Sequence, residues 1–124
     1  AKIYKVENKI NFITQDFLSL HKILDENLKI DLIFLSPPWG GMSYFHAREA
    51  DISEFPLDCF RLFDYCKNKL NCKNIVFYMP RNVNLAQMLY IAEPGGYVEL
   101  EQNFLDHKLV AISAYYGDLF DHEF

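Results

Sequence analysis

The stretch DLIFLSPPWGGMSY, Asp31 to Tyr44, decides how the rest of the chain is read. With Ile30 it opens as IDLIFL, a nearly unbroken apolar run of the kind that forms a parallel strand covered on both faces. It then enters Ser-Pro-Pro-Trp-Gly-Gly, which can continue neither as helix nor as strand. Proline holds the residue before it extended, so Ser36 keeps its hydroxyl at the strand tip. Pro37 and Pro38 have no N–H, and the carbonyl of Pro37 becomes a stiff acceptor with no helical or sheet partner assured. Gly40 and Gly41 permit a sharp turn, which lets the indole of Trp39 face outward. Two adjacent acceptors beside an aromatic plane suit a flat ligand that carries an amino group. A stiff turn and a core tryptophan are the ordinary structural readings of the same residues.

Outward from this stretch, hydrophobic spacing divides the chain into alternating elements. Ala1 to Tyr4 reads as the end of a helix, Ile10 to Thr14 as a strand, and Asp16 to Asn27 as a helix. After the loop, Pro56 to Asn71 has an apolar helical side, and Asn74 to Met79 (NIVFYM) reads as a buried strand stopped by Pro80. Asn82 or Asn84 caps a helix through Ile91, which Glu93 to Gly96 (EPGG) breaks. YVELEQNFL and LVAISAYYGDLF flank a polar turn at Asp106 and His107 and form an antiparallel pair. Strand and helix in alternation predict an α/β fold: an open, Rossmann-like sheet, mostly parallel with a terminal antiparallel pair, with helices on both faces. Ligands of such sheets sit beyond the carboxyl ends of the strands, where SPPWGG lies.

Composition narrows the function. The 124 residues are 51% apolar, enough for one globular domain, and no run reaches the length that spans a bilayer. A net charge of -5 argues against non-specific gripping of long nucleic acid, so any such ligand is met locally. Cys59, Cys66 and Cys72 read as reduced packing thiols, and the four histidines are too scattered to complete a zinc site with them.

The tetrapeptide [Asp/Asn/Ser]-Pro-Pro-[aromatic] after an apolar strand resembles that of class I amino-methyltransferases, which use S-adenosylmethionine to methylate exocyclic amines. More closely, FLSPPWGG, YMPRNVN, PGGYVELEQNFLDHKL and AYYGDLF resemble the trimethylguanosine synthases, RNA cap guanosine-N2 methyltransferases, over about Ile10 to Phe120. The resemblance implies the class I methyltransferase fold and conversion of a 7-methylguanosine RNA cap to the 2,2,7-trimethylguanosine form. It implies 7-methylguanosine-capped small nuclear and nucleolar RNAs as substrates, and a nuclear setting. It assigns stacking on the cationic 7-methylguanine to Trp39, and the orientation of the amine to Ser36 and the Pro37 carbonyl. Tyr44 and Arg81 match positions on the cap phosphates, with Asn82 beside them. Asp16 and Phe17 match the place that holds the adenine of the cofactor, and Ser36 borders it. Asp16 also reads as a helix cap, Asn82 as a cap, and Arg81 as a surface charge.

The family's glycine-rich cofactor loop and ribose-binding acid have no counterpart in these residues. The expectation is therefore that residues 1–124 are the carboxyl-terminal part of a single catalytic domain, without its first strand, helix and second strand. A base-amine methyltransferase of ribosomal or transfer RNA, and a non-catalytic cap-binding or protein-docking remnant, are the alternative readings.

Overall fold

A computed structural model describes residues 2–39, 49–92 and 96–119. Its centre is one four-stranded sheet made of β1 (Ile33–Leu35), β2 (Ile75–Pro80), β3 (Val98–Leu105) and β4 (Lys108–Tyr116), in the spatial order β1-β2-β4-β3. Two α-helices lie between the strands in sequence, α1 (Cys59–Asn68) and α2 (Leu85–Ile91). The expected mixed α/β architecture is present. Parallel pairing joins β1 to β2, and antiparallel pairing joins β2 to β4 and β4 to β3.

The sheet reads directly from residue types. β2, IVFYMP, is buried at every position but Tyr78, which is half-buried, as befits a strand with neighbours on both sides. Ile75, Phe77 and Met79 share a face with Tyr116 and Ile112 of β4. The Tyr116 ring meets Phe77 at 6.1 Å and Phe63 of α1 at 4.9 Å, both edge-on, and its buried hydroxyl donates to the Met88 carbonyl of α2 at 2.7 Å. One side chain therefore touches both α-helices, which places α1 and α2 on the same face. The expectation of helices on both faces is corrected accordingly among the described residues. The other face carries Phe34, exposed at 61%, beside Tyr78 at 6.5 Å between ring centroids.

Side-chain caps set the helix starts. Asp58, not Pro56, begins α1 by accepting from the Phe60 N–H, and Asn84, not Asn82, begins α2 by accepting from the Gln87 N–H. In the β3–β4 hairpin the turn residues Asp106 and His107 both have positive φ, 48° and 66°, the conformation whose twist matches two paired strands. The three thiols are unpaired and buried, and burial pushes Cys59 and Cys66 up to about 12.

The amino-terminal expectations need correction. Residues 2–5 form a turn and Glu7–Lys9 a short 3-10 helix, in place of a helix end. Residues 10–14 form no strand: Ile10 and Phe12 are 41% and 87% exposed, and no neighbouring strand lies beside them among the described residues. The helix expected from Asp16 to Asn27 is a 3-10 helix over Phe17–Lys22. There the Ser19 N–H and hydroxyl both donate to the Asp16 carbonyl at 3.0 Å, taking the acceptor an α-helical turn would use.

Candidate functional site

The site lies at the carboxyl ends of β1 and β2, adjacent parallel strands that deliver two loops to one edge. Leu35 stands opposite Phe77, so the Ser36–Trp39 segment emerges beside Tyr78, and the Arg81–Asn82 turn begins three residues after Tyr78. Ser36 is exposed and Pro37 buried, and neither is hydrogen-bonded among the described residues. Trp39 is half-buried rather than turned wholly outward. Its indole stacks on Tyr78, with centroids 6.0 Å apart and planes at 28°, and its Nε1–H donates to the Tyr78 carbonyl at 3.4 Å.

The segment that follows residues 40–48 is stitched to the loop after β2. The Ala50 N–H donates to the Asn82 carbonyl at 2.7 Å, and the Asn84 N–H returns a bond to the Ala50 carbonyl at 3.0 Å. Gln87 of α2 completes the clasp: its Oε1 accepts from the Ile52 N–H at 3.0 Å and its Nε2 donates to Asp51 at 2.8 Å. Ser53 and Gln87 together donate to the Asp51 carboxylate and hold it below the usual aspartate range. Residues 50–52 and the Arg81–Asn82 turn are thereby fixed to each other.

Of the residues singled out from sequence, Ser36, Pro37, Trp39, Arg81 and Asn82 come together at this edge. Arg81 is exposed and Asn82 half-buried. Tyr44 lies outside the described residues. Asp16 and Phe17 stand apart, on the 3-10 helix, with no hydrogen bond to Ser36–Trp39 among the described residues. Asp16 caps that helix by accepting from the Leu18 N–H at 3.1 Å. Tyr65 of α1 holds the helix in place: its ring lies 5.5 Å from that of Phe17, and its hydroxyl accepts from the His21 N–H at 2.8 Å. Tyr78, Gln87 and Asp51 were not expected from sequence, because register and a long-range clasp define their roles. Among the described residues no group of three His, Cys, Asp or Glu side chains is arranged to hold a metal ion.

A protein-family model described as RNA cap guanine-N2 methyltransferase matches residues 1–118. The chain belongs to that family. At this edge the structure gathers the Trp39 ring, the Ser36 hydroxyl, the Pro37 carbonyl and the exposed Arg81. Methyl transfer to guanine N2 of a cap needs a methyl donor and a capped RNA.

Proposed function

We propose that this cap methyltransferase takes a 7-methylguanosine cap on the Trp39 indole and presents its N2 amine to two molecules of S-adenosylmethionine in turn, one methyl from each yielding the 2,2,7-trimethylguanosine form. The observation that carries the reading is the placement of Trp39, fixed on Tyr78 next to a serine hydroxyl and a proline carbonyl with no donor among the described residues. A 7-methylated guanine is cationic, so it gains ~1 to 2 kcal/mol of cation-π attraction to an indole over a neutral base. Ser36 and the Pro37 carbonyl accept the two amine hydrogens and aim the nitrogen lone pair. Arg81, together with Tyr44, takes the cap phosphates, and Asn82 holds the turn that presents Arg81.

Asp16 and Phe17 fit the adenine end of the donor: Asp16 is exposed with one carboxylate oxygen beyond its cap bond, and Phe17 offers a half-buried apolar edge. The two described glycines do not fit the methionine end. A side chain at Gly96 would collide with the Ala92 carbonyl oxygen, and one at Gly117 with Asn74 Oδ1, so both are packing positions. When bound, the sulfonium supplies an already reactive methyl group, which leaves alignment and exclusion of water to the protein. No strong base is needed, because the methylated nitrogen is acidic enough to release its proton to solvent. Small nuclear and nucleolar RNAs, in the nucleus, are the substrates and setting that the family resemblance implies.

Trp39 is the sole tryptophan of the chain, so its emission reports the site directly. 7-Methylguanosine triphosphate should quench it at concentrations where guanosine triphosphate does not. Equal quenching by the two nucleotides would sink the stacking role.

A further inference from the structure

The β1–β2 ladder reaches a rung that neither strand can complete. Ile33 pairs with Ile75 and Leu35 with Phe77, and the Ile33 N–H donates to the Asn74 carbonyl at 2.9 Å. In a parallel ladder of this phase, each such β1 residue gives its N–H to the residue before its partner and receives one from the residue after it. Carried two residues beyond Leu35, the same register would set Pro37 opposite Met79. Its nitrogen would serve the Tyr78 carbonyl, and the nitrogen of residue 80 would serve the Pro37 carbonyl. Both nitrogens belong to prolines and carry no hydrogen.

The two stranded acceptors meet different fates. The Tyr78 carbonyl is taken by the Trp39 indole N–H at 3.4 Å, which lays that ring over Tyr78. The Pro37 carbonyl has no donor among the described residues, although Pro37 is buried and an unmatched carbonyl there is unfavourable. Pro80 is held firmly: its side chain is fully buried, its carbonyl accepts from the Val83 N–H at 3.1 Å, and it stands opposite Ala111 of β4.

We propose that Pro80 is a positioning residue of the methyl transfer, which by lacking an N–H keeps the Pro37 carbonyl open for the guanine amine. This rests on the reading of Ser36 and Pro37 as the amine acceptors. The same missing rung, through Pro37, hands the Tyr78 carbonyl to Trp39. One deleted pair of backbone bonds thus sets both the stacking platform and the acceptor beside it.

Pro80→Ala tests this, because it restores one donor with little change of shape. The new amide of residue 80 should be protected from hydrogen exchange to the level of its β2 neighbours. The kcat for methylation of capped RNA should fall ~100-fold, the scale of losing one aligned polar contact to the reacting group. Quenching of Trp39 by 7-methylguanosine triphosphate should keep its affinity. Replacing residue 80 by lactate, an ester with no N–H and no ring, should restore kcat, which a merely structural role for the proline ring would not allow. An amide at position 80 that exchanges as fast as an unstructured one would overturn the proposal, as would a protected amide with unchanged kcat. In the latter case Ser36→Ala separates the causes: an impaired Ser36→Ala enzyme leaves the acceptor site standing and removes the rung, whereas an unimpaired one removes the acceptor site itself.

Discussion

Trp39 gives one ring face to Tyr78 and its N–H to the same residue's carbonyl, so substitutions can separate the two contacts. Trp39→Ala should lose ~2 to 4 kcal/mol of affinity for 7-methylguanosine triphosphate, measured by calorimetry, since stacking and cation-π attraction go together. Trp39→Phe should keep part of the stacking and lose the N–H anchor. Ser36→Ala should lower kcat well beyond any rise in KM, because the hydroxyl acts on the reacting amine rather than on the whole cap. A Trp39→Ala protein that is folded and binds the cap like wild type would return Trp39 to the core. The placement of Ser36, Pro37 and Trp39 at a strand tip was readable from sequence because proline and glycine state their backbone demands outright. Pro80 reads from sequence only as the end of a strand, since its effect depends on which residue it faces across the sheet.

The clasp between α2 and residues 51–52 works at the scale of elements. Gln87 accepts from the N–H of Ile52, which is fully buried, so Gln87→Ala strands a buried donor and should cost ~1 to 3 kcal/mol in denaturant unfolding. Its bond to Asp51 adds a pH signature. The Asp51 pKa is lowered by Ser53 and then Gln87, so the associated stability is present above the ordinary value of 3.8 and fades as pH falls through the lower folded value. The acid-side loss of thermal midpoint should be shallower in Gln87→Ala; an unchanged slope would show that Gln87 does not act on Asp51. Helix starts were legible only to within a few residues, because Asp58 and Asn84 cap from positions next to equally plausible Pro56 and Asn82. Ile10 to Thr14 has strand composition, but such composition describes a fit to a half-buried pleated surface, and no such neighbour lies beside it among the described residues.

For the whole molecule, the apolar runs at residues 30–35 and 74–79 announced an α/β sheet, and the hairpin was visible in its alternation and polar turn. Which face the helices take was not legible, since burial of a strand on both sides looks the same whatever covers it; Tyr116, touching Phe63 and Met88 together, settles it. The sheet also joins two kinds of neighbour. The β3–β4 hairpin pairs residues close along the chain, down to Leu105 with Lys108, whereas β1 meets β2 only after the chain has travelled from Ile33 to Ile75. Closing the longer loop costs more chain entropy before any contact rewards it, so the two halves of the sheet should form in sequence during refolding. Conservative substitutions at Leu100 or Ala114 should slow folding, while Ile33→Val should chiefly speed unfolding, which stopped-flow chevrons would distinguish. The edge that carries Ser36 and Trp39 would then be the last part of the sheet to take shape and the first to come apart.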